Sequence, residues 1–228
     1  MDLRGKFLVI DGPDGAGKGT QIRRLADRLQ ADGYTCCLAR DPGGTEIGDR
    51  IRHVVLGYDL SKMDATCETL LFMASRAQLV AEIVRPALAR GEVVICDRFI
   101  SATCAYQVAA GYSREKVVQL GRLAVGETWP DLTIILDVEP DVGFKRTGRT
   151  PQKAIAAARK TNQDQQALFV DAQIDAMERR PLDFHRRVRE LFLELPNLYP
   201  RPVRVISANA AENQVADELY AAVRDVFS

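Results

Sequence analysis

The stretch that decides the fold is Gly12-Pro13-Asp14-Gly15-Ala16-Gly17-Lys18-Gly19-Thr20. An apolar run, Phe7-Leu8-Val9-Ile10, precedes it, and apolar residues at helical spacing follow it from position 22 to position 29. A strand, a glycine-rich loop and a helix in this order are typical of a Walker A loop, whose backbone N–H groups and lysine bind phosphate oxygens. We predict that residues 12–20 bind the phosphates of a nucleoside triphosphate. The flanking strand and helix argue against the alternative, a chance match in an unrelated loop.

One position of this loop departs from the Walker A spacing. Gly19 stands where Ser or Thr is usual, and a hydroxyl comes one residue later, at Thr20. Because the Walker A hydroxyl coordinates Mg²⁺, we assign the metal to Thr20 and to Asp97, which follows the apolar run 93–96. An aspartate at the end of a strand is also a common helix N-cap, but the phosphate loop upstream favours the metal role. Arg98 would bring a guanidinium to the same crevice.

Composition excludes several classes of protein. The chain has 228 residues, 46% hydrophobic and 27% charged, which suits one globular domain. Its 31 Lys and Arg balance 31 Asp and Glu, so it lacks the basic field that binding to nucleic acids or acidic membranes needs. No apolar run suits a signal peptide or a membrane span, and the cysteines lack CxxC spacing. We expect a cytoplasmic protein with reduced, buried thiols that binds neither nucleic acid nor membrane.

Short apolar runs alternate with helical patterns along the whole chain. The runs occupy residues 7–10, 34–39, 93–96, 132–138 and 203–206. This alternation predicts an α/β fold, a parallel sheet with helices on both faces. Ligands bind such sheets beyond the carboxyl ends of the strands. The phosphate loop, residues 40–45, Asp97-Arg98 and the stretch after Asp137 should therefore meet at one crevice.

Further side chains are expected to face this crevice. Phe72 and Arg76 are four residues apart in the helical segment 66–90, so a ring and a guanidinium share a face that suits a nucleobase. Taken singly, Phe72 could as readily be a core residue and Arg76 a surface cation. Three polar side chains follow Asp97-Arg98 at offsets that would place them one or two helical turns from the catalytic edge, where they suit the edges of a base or sugar: Thr103, Tyr106 and Gln107.

Six motifs, in their order along the chain, resemble the thymidylate kinase family. They are the phosphate loop, Arg40-Asp41-Pro42-Gly43-Gly44-Thr45, Leu71-Phe72 with Arg76, Asp97-Arg98-Phe99, Ala105-Tyr106-Gln107 and Pro130-Asp131-Leu132-Thr133. The resemblance implies a P-loop kinase fold with a five-stranded parallel core, helices on both faces and a mobile lid. It implies one thymidylate kinase-like domain over 1–228 and a homodimer. The implied reaction is transfer of the ATP γ-phosphoryl group to dTMP, giving dTDP for dTTP biosynthesis, with Mg²⁺.

The resemblance also implies roles for individual residues. Residues 12–20 would hold the ATP phosphates, with Lys18 and Arg98 as catalytic cations, and Asp14 would contact the sugar 3′-hydroxyl of dTMP. The other acceptor contacts would come from Arg52 and Arg98 at the phosphate, Phe72 stacked on thymine, Arg76 at the thymine edge, Tyr106 at the sugar 2′ position, and Thr103 and Gln107 completing the pocket.

The segment from about 145 to 180 would form an enlarged lid. By alignment with the family pattern, about 25 residues are inserted there. Gly15 replaces an arginine that one subgroup of the family places in its phosphate loop, so we expect the catalytic arginine in the lid, at Arg146 or Arg149. Substitutes in the same segment are Arg159, Arg179 and Arg180. A solvated helical face with excess basic residues is the alternative for most of them.

The expected chemistry needs no histidine, because the attacking group is already an anionic phosphate oxygen. His53 and His185 lie in charged helical patterns and are expected at the surface. Two other functions stay open on the sequence. Ala102 in place of a usual serine, and the Lys18-Gly19-Thr20-Gln21 run typical of adenylate kinases, leave room for another (deoxy)nucleoside monophosphate as acceptor. The unusual lid leaves room for a regulatory protein that binds nucleotides without transfer.

Overall fold

The computed structural model describes residues 1–58, 63–148, 177 and 180–228. Within these ranges, five parallel strands form one sheet in the order β2-β3-β1-β4-β5. The strands are β1 (Phe7–Asp11), β2 (Cys36–Arg40), β3 (Val93–Asp97), β4 (Leu132–Asp137) and β5 (Val203–Ser207). Each overlaps one of the apolar runs of the sequence, and the predicted α/β fold with a parallel sheet is confirmed.

Helices connect the strands and cover the sheet. They are α1 (Lys18–Ala31), α2 (Glu46–Gly57), α3 (Ala65–Leu79), α4 (Arg85–Ala89), α5 (Ile100–Ala109), α6 (Arg114–Val125), α7 (Pro140–Arg146), α8 (Leu182–Leu198) and α9 (Glu212–Phe227). A π-helical turn, Val80–Val84, joins α3 to α4. Side-chain oxygens of Thr45, Asp64 and Ser113 cap the first turns of α2, α3 and α6.

Both faces of the sheet are buried because successive side chains of a strand point in opposite directions. All of β1 is buried. Phe7 and Val9 belong to the core shared with α3, α5, α6 and α8. Leu8 and Ile10 belong to the core shared with α1 and α9. The continuous apolar run of β1 thus reflects its central place in the sheet.

The order of the strands places the phosphate loop at a switch point of the sheet. β1 lies between β3 and β4, with Ile10 opposite Asp97 and Asp11 opposite Ile135. The chain continues from β1 to β2, on the β3 side of β1, whereas it continues from the adjacent strand β4 to β5, on the far side. The two connections therefore diverge and open a crevice beyond the carboxyl ends of these strands. The loop and Asp97 therefore meet at one edge, as the sequence predicted.

The expectation that His185 lies at the surface is wrong. His185 is only 2% exposed, and its ring packs against Phe144 at 5.0 Å between centroids. The reason is its register on α8, because Val188 and Phe192 lie on the same buried stripe. His53 is exposed, as expected.

The cysteines were expected to be buried, and this holds for two of them. Cys96 and Cys104 are buried, whereas Cys36 and Cys37 are partly exposed and Cys67 is exposed; all five are free thiols. Strand β2 lies at the edge of the sheet, which leaves its first residues partly open to solvent.

Most of the expected lid, 145–180, lies outside the described residues, as do Arg149, Arg159 and Arg179. Met177 and Arg180 are described. Across the described ranges, no helix combines the length and the apolar character that crossing a membrane requires.

Candidate active site

The phosphate loop owes its shape to three glycines with positive φ. Gly12, Gly15 and Gly17 have φ of 137°, 77° and 84°, a region that residues with a Cβ rarely adopt. A Cβ on Gly12 would lie 2.3 Å from the Leu136 carbonyl oxygen, and one on Gly15 would lie 2.3 Å from that of Gly143. β4 and α7 thus pack directly against the loop. This close approach is also the physical reason why position 15 cannot hold an arginine.

Lys18 begins α1 and folds back over the loop. Its Nζ donates to the carbonyl oxygens of Gly12 at 3.0 Å and Pro13 at 2.9 Å. Burial, and after it the Arg98 guanidinium, lowers the pKa of Lys18 from 10.5 to about 8, since both disfavour the ammonium form. Phosphate oxygens bound in the loop would favour that form again. Lys18 is therefore a cation that a bound polyphosphate would stabilise.

A cleft that we call the donor cleft opens on the Gly17 side of the loop. Its space of about 760 Å³, partly open to solvent, is lined by Gly17, Thr20, Arg146 and the connection between β5 and α9. The Arg146 guanidinium donates to the Ala208 carbonyl oxygen at 2.9 Å and to that of Gly15 at 3.4 Å. Arg146 thus lies beside the loop where a triphosphate would extend. Sequence reasoning missed residues 208–215, which carry no phosphate-binding motif.

A second cleft, the acceptor cleft, opens on the Asp14 side of the loop. It encloses about 510 Å³, partly open to solvent. Every residue predicted to bind the substrate lines it: Asp14, Arg52, Phe72, Arg76, Arg98, Thr103, Tyr106 and Gln107. Leu56 and Met177 also line it, and sequence reasoning missed both. The structure brings these side chains together; their individual roles stay predictions.

Arg98 lies between the loop and the acceptor cleft. Its guanidinium donates to Asp14 Oδ1 at 2.6 Å, to the Tyr106 hydroxyl at 3.3 Å and to Asp11 Oδ1 at 3.4 Å. Its φ is 67°, uncommon for a residue other than glycine. A backbone held in this conformation indicates that the surrounding structure specifies where the side chain points. The arginine is thereby held at the wall of the acceptor cleft, between Asp14 of the phosphate loop and Tyr106.

Asp11, which sequence reasoning did not select, anchors the loop. It is fully buried and accepts hydrogen bonds from the Gly12 N–H at 2.8 Å and from Ser101 Oγ at 2.6 Å. Burial raises the pKa of Asp11, and the Arg98 guanidinium opposes that rise. The carboxylate ties the end of β1 to α5. The sequence feature that could have identified Asp11 is its position directly before the phosphate loop.

Arg76 forms a buried ion pair that the sequence did not reveal. The side chain is 1% exposed, and its Nε donates to Asp41 Oδ2 at 2.6 Å. One terminal nitrogen donates to the Phe99 carbonyl oxygen at 3.0 Å and to Thr103 Oγ1 at 3.1 Å. Burial raises the pKa of Asp41, against the effect of Arg76. Asp41, within the quoted turn 40–45, therefore holds Arg76 in place at the cleft wall.

Asp97, at the end of β3, is the candidate metal ligand of the site. Asp97 Oδ1 is buried and finds no hydrogen-bond partner among the described residues. Those residues include no cluster of three or more His, Cys, Asp or Glu able to hold a metal by themselves. Mg²⁺ commonly keeps waters and substrate phosphates as ligands and needs only one or two carboxylates. Asp97 therefore fits the role of a carboxylate ligand of Mg²⁺. Gly19 has no side-chain oxygen to bind a metal, whereas Thr20 lines the donor cleft.

A Walker A loop between two clefts, at the switch point of a parallel sheet, is the architecture of a P-loop kinase. Comparison of the sequence with known proteins identifies the family. A family model described as thymidylate kinase matches residues 10–219. A thymidylate kinase of Deinococcus radiodurans is 39% identical over 223 residues, covering 97% of this chain and 98% of the relative. One of Syntrophotalea carbinolica is 39% identical over 215 residues, covering 94% and 93%. The chain belongs to the thymidylate kinase family.

Proposed function

We propose that the protein transfers the γ-phosphoryl group of ATP to the 5′-phosphate of dTMP, giving ADP and dTDP, in dTTP biosynthesis. The observation that carries the proposal is the acceptor cleft, in which an aromatic ring and the buried Arg76 lie beside the phosphate loop. Membership of the thymidylate kinase family supports it. ATP would occupy the phosphate loop and the donor cleft, and dTMP the acceptor cleft.

The transfer step requires alignment and charge neutralisation. An oxygen of the dTMP phosphate bonds to the γ-phosphorus while the bond from that phosphorus to the β,γ-bridging oxygen breaks, and ADP leaves. No general base is needed because the attacking oxygen is an anion. Lys18, Arg98 and Arg146 would supply positive charge, and Arg52 would hold the acceptor phosphate. Arg149 stays a candidate from the sequence, outside the described residues.

Mg²⁺ would enter with ATP and neutralise charge on its phosphates. Asp97 and Thr20 are its proposed protein ligands. Asp97 supplies a buried oxygen that finds no hydrogen-bond partner among the described residues, which suits a metal or a metal-bound water.

Selectivity for a deoxynucleotide would come from Asp14 and Tyr106. The Tyr106 ring packs against Phe192 at 6.0 Å and Phe184 at 6.4 Å between centroids. A ring held in this way cannot move aside easily, so it would crowd a 2′-hydroxyl. Asp14 would accept a hydrogen bond from the 3′-hydroxyl.

We infer further that 1–228 acts as one domain, with 145–180 as its lid, in the cytoplasm and as a homodimer. Exposed apolar side chains support a second copy as partner. Leu123 on α6 is 83% exposed, and Ile47 on α2 and Leu70 on α3 are also exposed. Light scattering of the purified chain tests the oligomeric state.

Acceptor profiling with ATP and Mg²⁺ tests the function. We expect the highest kcat/KM for dTMP among dTMP, dUMP, dCMP and AMP. Faster phosphorylation of dCMP or AMP would replace the proposal with a kinase for that acceptor. ATP binding without acceptor-dependent ADP release would show a regulatory nucleotide-binding protein instead.

A further inference from the structure

Glu68 is a buried carboxylate directly behind the acceptor cleft. It lies on α3, one turn before Phe72, and is 1% exposed. Its Oε1 accepts a hydrogen bond from Gln107 Nε2 at 2.7 Å, and its Oε2 accepts one from the Arg180 guanidinium at 2.9 Å. Glu68 thus joins α3 to α5 and to the residues before α8. Burying a charged group costs free energy unless it is paired, so the position of Glu68 suggests a specific role.

The pairing determines which way the Gln107 amide points. A carboxylate in an ion pair with arginine has no hydrogen to donate, so it only accepts hydrogen bonds. The amide atom nearest Glu68 must therefore be nitrogen. This chemistry assigns the amide orientation, which coordinates alone often leave open. The amide oxygen, Gln107 Oε1, then points away from Glu68.

That oxygen is available to a ligand. Gln107 lines the acceptor cleft, and among the described residues Oε1 accepts no hydrogen bond. Arg76, which only donates, lines the same cleft and contacts Thr103, one helical turn before Gln107 on α5. The cleft therefore offers one remaining N–H of Arg76, on the terminal nitrogen that also contacts Met73 Sδ, and an acceptor from Gln107 on neighbouring positions of its wall.

Such an arrangement complements one type of pyrimidine edge. Thymine and uracil present the O4 acceptor beside the N3–H donor. Cytosine presents the reverse, an amino donor beside the N3 lone pair. An N–H of Arg76 donating to O4 and the Gln107 oxygen accepting from N3–H would match the edge of thymine or uracil. Against cytosine, Arg76 would face the amino donor and the Gln107 oxygen would face the N3 lone pair, so neither hydrogen bond could form.

We propose that Glu68 is a positioning residue that orients the Gln107 amide and thereby makes the acceptor cleft select bases with a ring N–H over cytosine. The inference rests on the proposed function, because it takes the acceptor cleft as the nucleobase site. Glu68 acts through Gln107 and does not itself line the cleft.

The test substitutes Glu68→Gln in the full chain and measures kcat/KM for dTMP, dUMP and dCMP with saturating MgATP. A glutamine at position 68 can donate to Gln107 Oε1 and so permits the reversed amide, whose nitrogen would face the cleft. We expect the dTMP-to-dCMP ratio of kcat/KM to fall at least about tenfold. The dTMP-to-dUMP ratio should stay the same, because both bases present the same edge. A general loss of structure would lower all three values together.

Two controls separate this effect from others. Arg180→Lys keeps a cation beside Glu68 and leaves the bond from Gln107 to Glu68, so the dTMP-to-dCMP ratio should stay within about twofold of wild type. Glu82→Gln makes the identical chemical change at an exposed position, where Glu82 accepts from Gln78. It should leave the ratio unchanged.

A double-mutant cycle tests whether Glu68 acts through Gln107. In a Gln107→Leu background, Glu68→Gln should have no further effect on the ratio. Calorimetric Kd values for dTMP and dCMP should show the same pattern without turnover. If Glu68→Gln does not fold, Gln107→Leu must still lower the ratio and Glu68→Asp must retain most of it.

The outcomes distinguish the inference from the function it rests on. A wild-type preference for dTMP that survives unchanged in folded Glu68→Gln, or in folded Gln107→Leu, overturns the role of Glu68 and leaves the function standing. A wild-type preference for dCMP overturns both.

Discussion

Replacing Lys18 with Met should stabilise the ligand-free protein slightly at pH 7 while removing most of its activity. In the folded chain the pKa of Lys18 falls from 10.5 to about 8, chiefly through burial. This fall corresponds to about 3 kcal/mol against folding at neutral pH. Met removes the charge but also the hydrogen bonds to the carbonyls of Gly12 and Pro13, worth about 2 kcal/mol together. The net gain should be about 1 kcal/mol.

The pH dependence of this gain follows from the sign of the shift. Below the folded-state pKa of about 8 both states hold the proton, and wild type bears the full penalty. Between that value and 10.5 the unfolded lysine keeps its proton while the folded lysine loses it, so wild-type stability rises with pH. The Met variant lacks this rise. Its advantage should therefore shrink from about 1 kcal/mol at neutral pH to about zero near pH 9.

Urea unfolding of both proteins from about pH 6 to about pH 9 measures the effect, with equal m-values as the condition for comparing them. Lys116→Met, at an exposed lysine of α6, is the matched control and should change stability by less than about 0.5 kcal/mol at any pH. Turnover of Lys18→Met should fall roughly 10²- to 10³-fold. A variant that is less stable than wild type at neutral pH, or a difference that does not vary with pH, would refute the reasoning.

Four further substitutions test the packing and the acceptor cleft. Asp41→Asn leaves Arg76 charged and buried without its counterion, and urea unfolding should show a loss of about 3 kcal/mol; unchanged stability would contradict the ion-pair account. Gly15→Ala should lower Tm strongly, whereas Gly19→Ala, whose Cβ meets nothing within 4 Å, should raise it slightly because alanine favours the helix; equal Tm values would count against the close approach of α7. Tyr106→Ala should raise the kcat/KM for ribonucleotide acceptors relative to deoxynucleotides, and discrimination equal to wild type would argue against a role at the 2′ position.

Much of the site was predictable because its motifs are contiguous. The phosphate loop is encoded in a short stretch, and the ends of β1 and β3 could be placed at one edge from strand patterns alone. Phe72 and Arg76 share a helical face by their spacing. The full set of acceptor contacts came from the resemblance to the thymidylate kinase family, and every residue predicted to bind the acceptor lines the cleft.

Other features required knowledge of which segments meet. Asp41 and Glu68 were not recognised as partners of Arg76 and Gln107, which lie 35 and 39 residues away along the chain. His185 was placed at the surface because its neighbours in sequence are charged, whereas docking of α8 on the core buries it. The β5–α9 connection of the donor cleft carries no motif of its own.

The loop from Gly12 to Thr20, and the strand and helix that flank it, follow from local physical chemistry. Glycine tolerates positive φ, and apolar spacing sets helix and strand, so a few neighbouring residues suffice. The partners of the loop do not follow from local sequence. Gly143 packs against Gly15, and burial together with the nearby Arg98 lowers the pKa of Lys18. Folding brings these distant groups together and excludes the water that would otherwise separate and screen them.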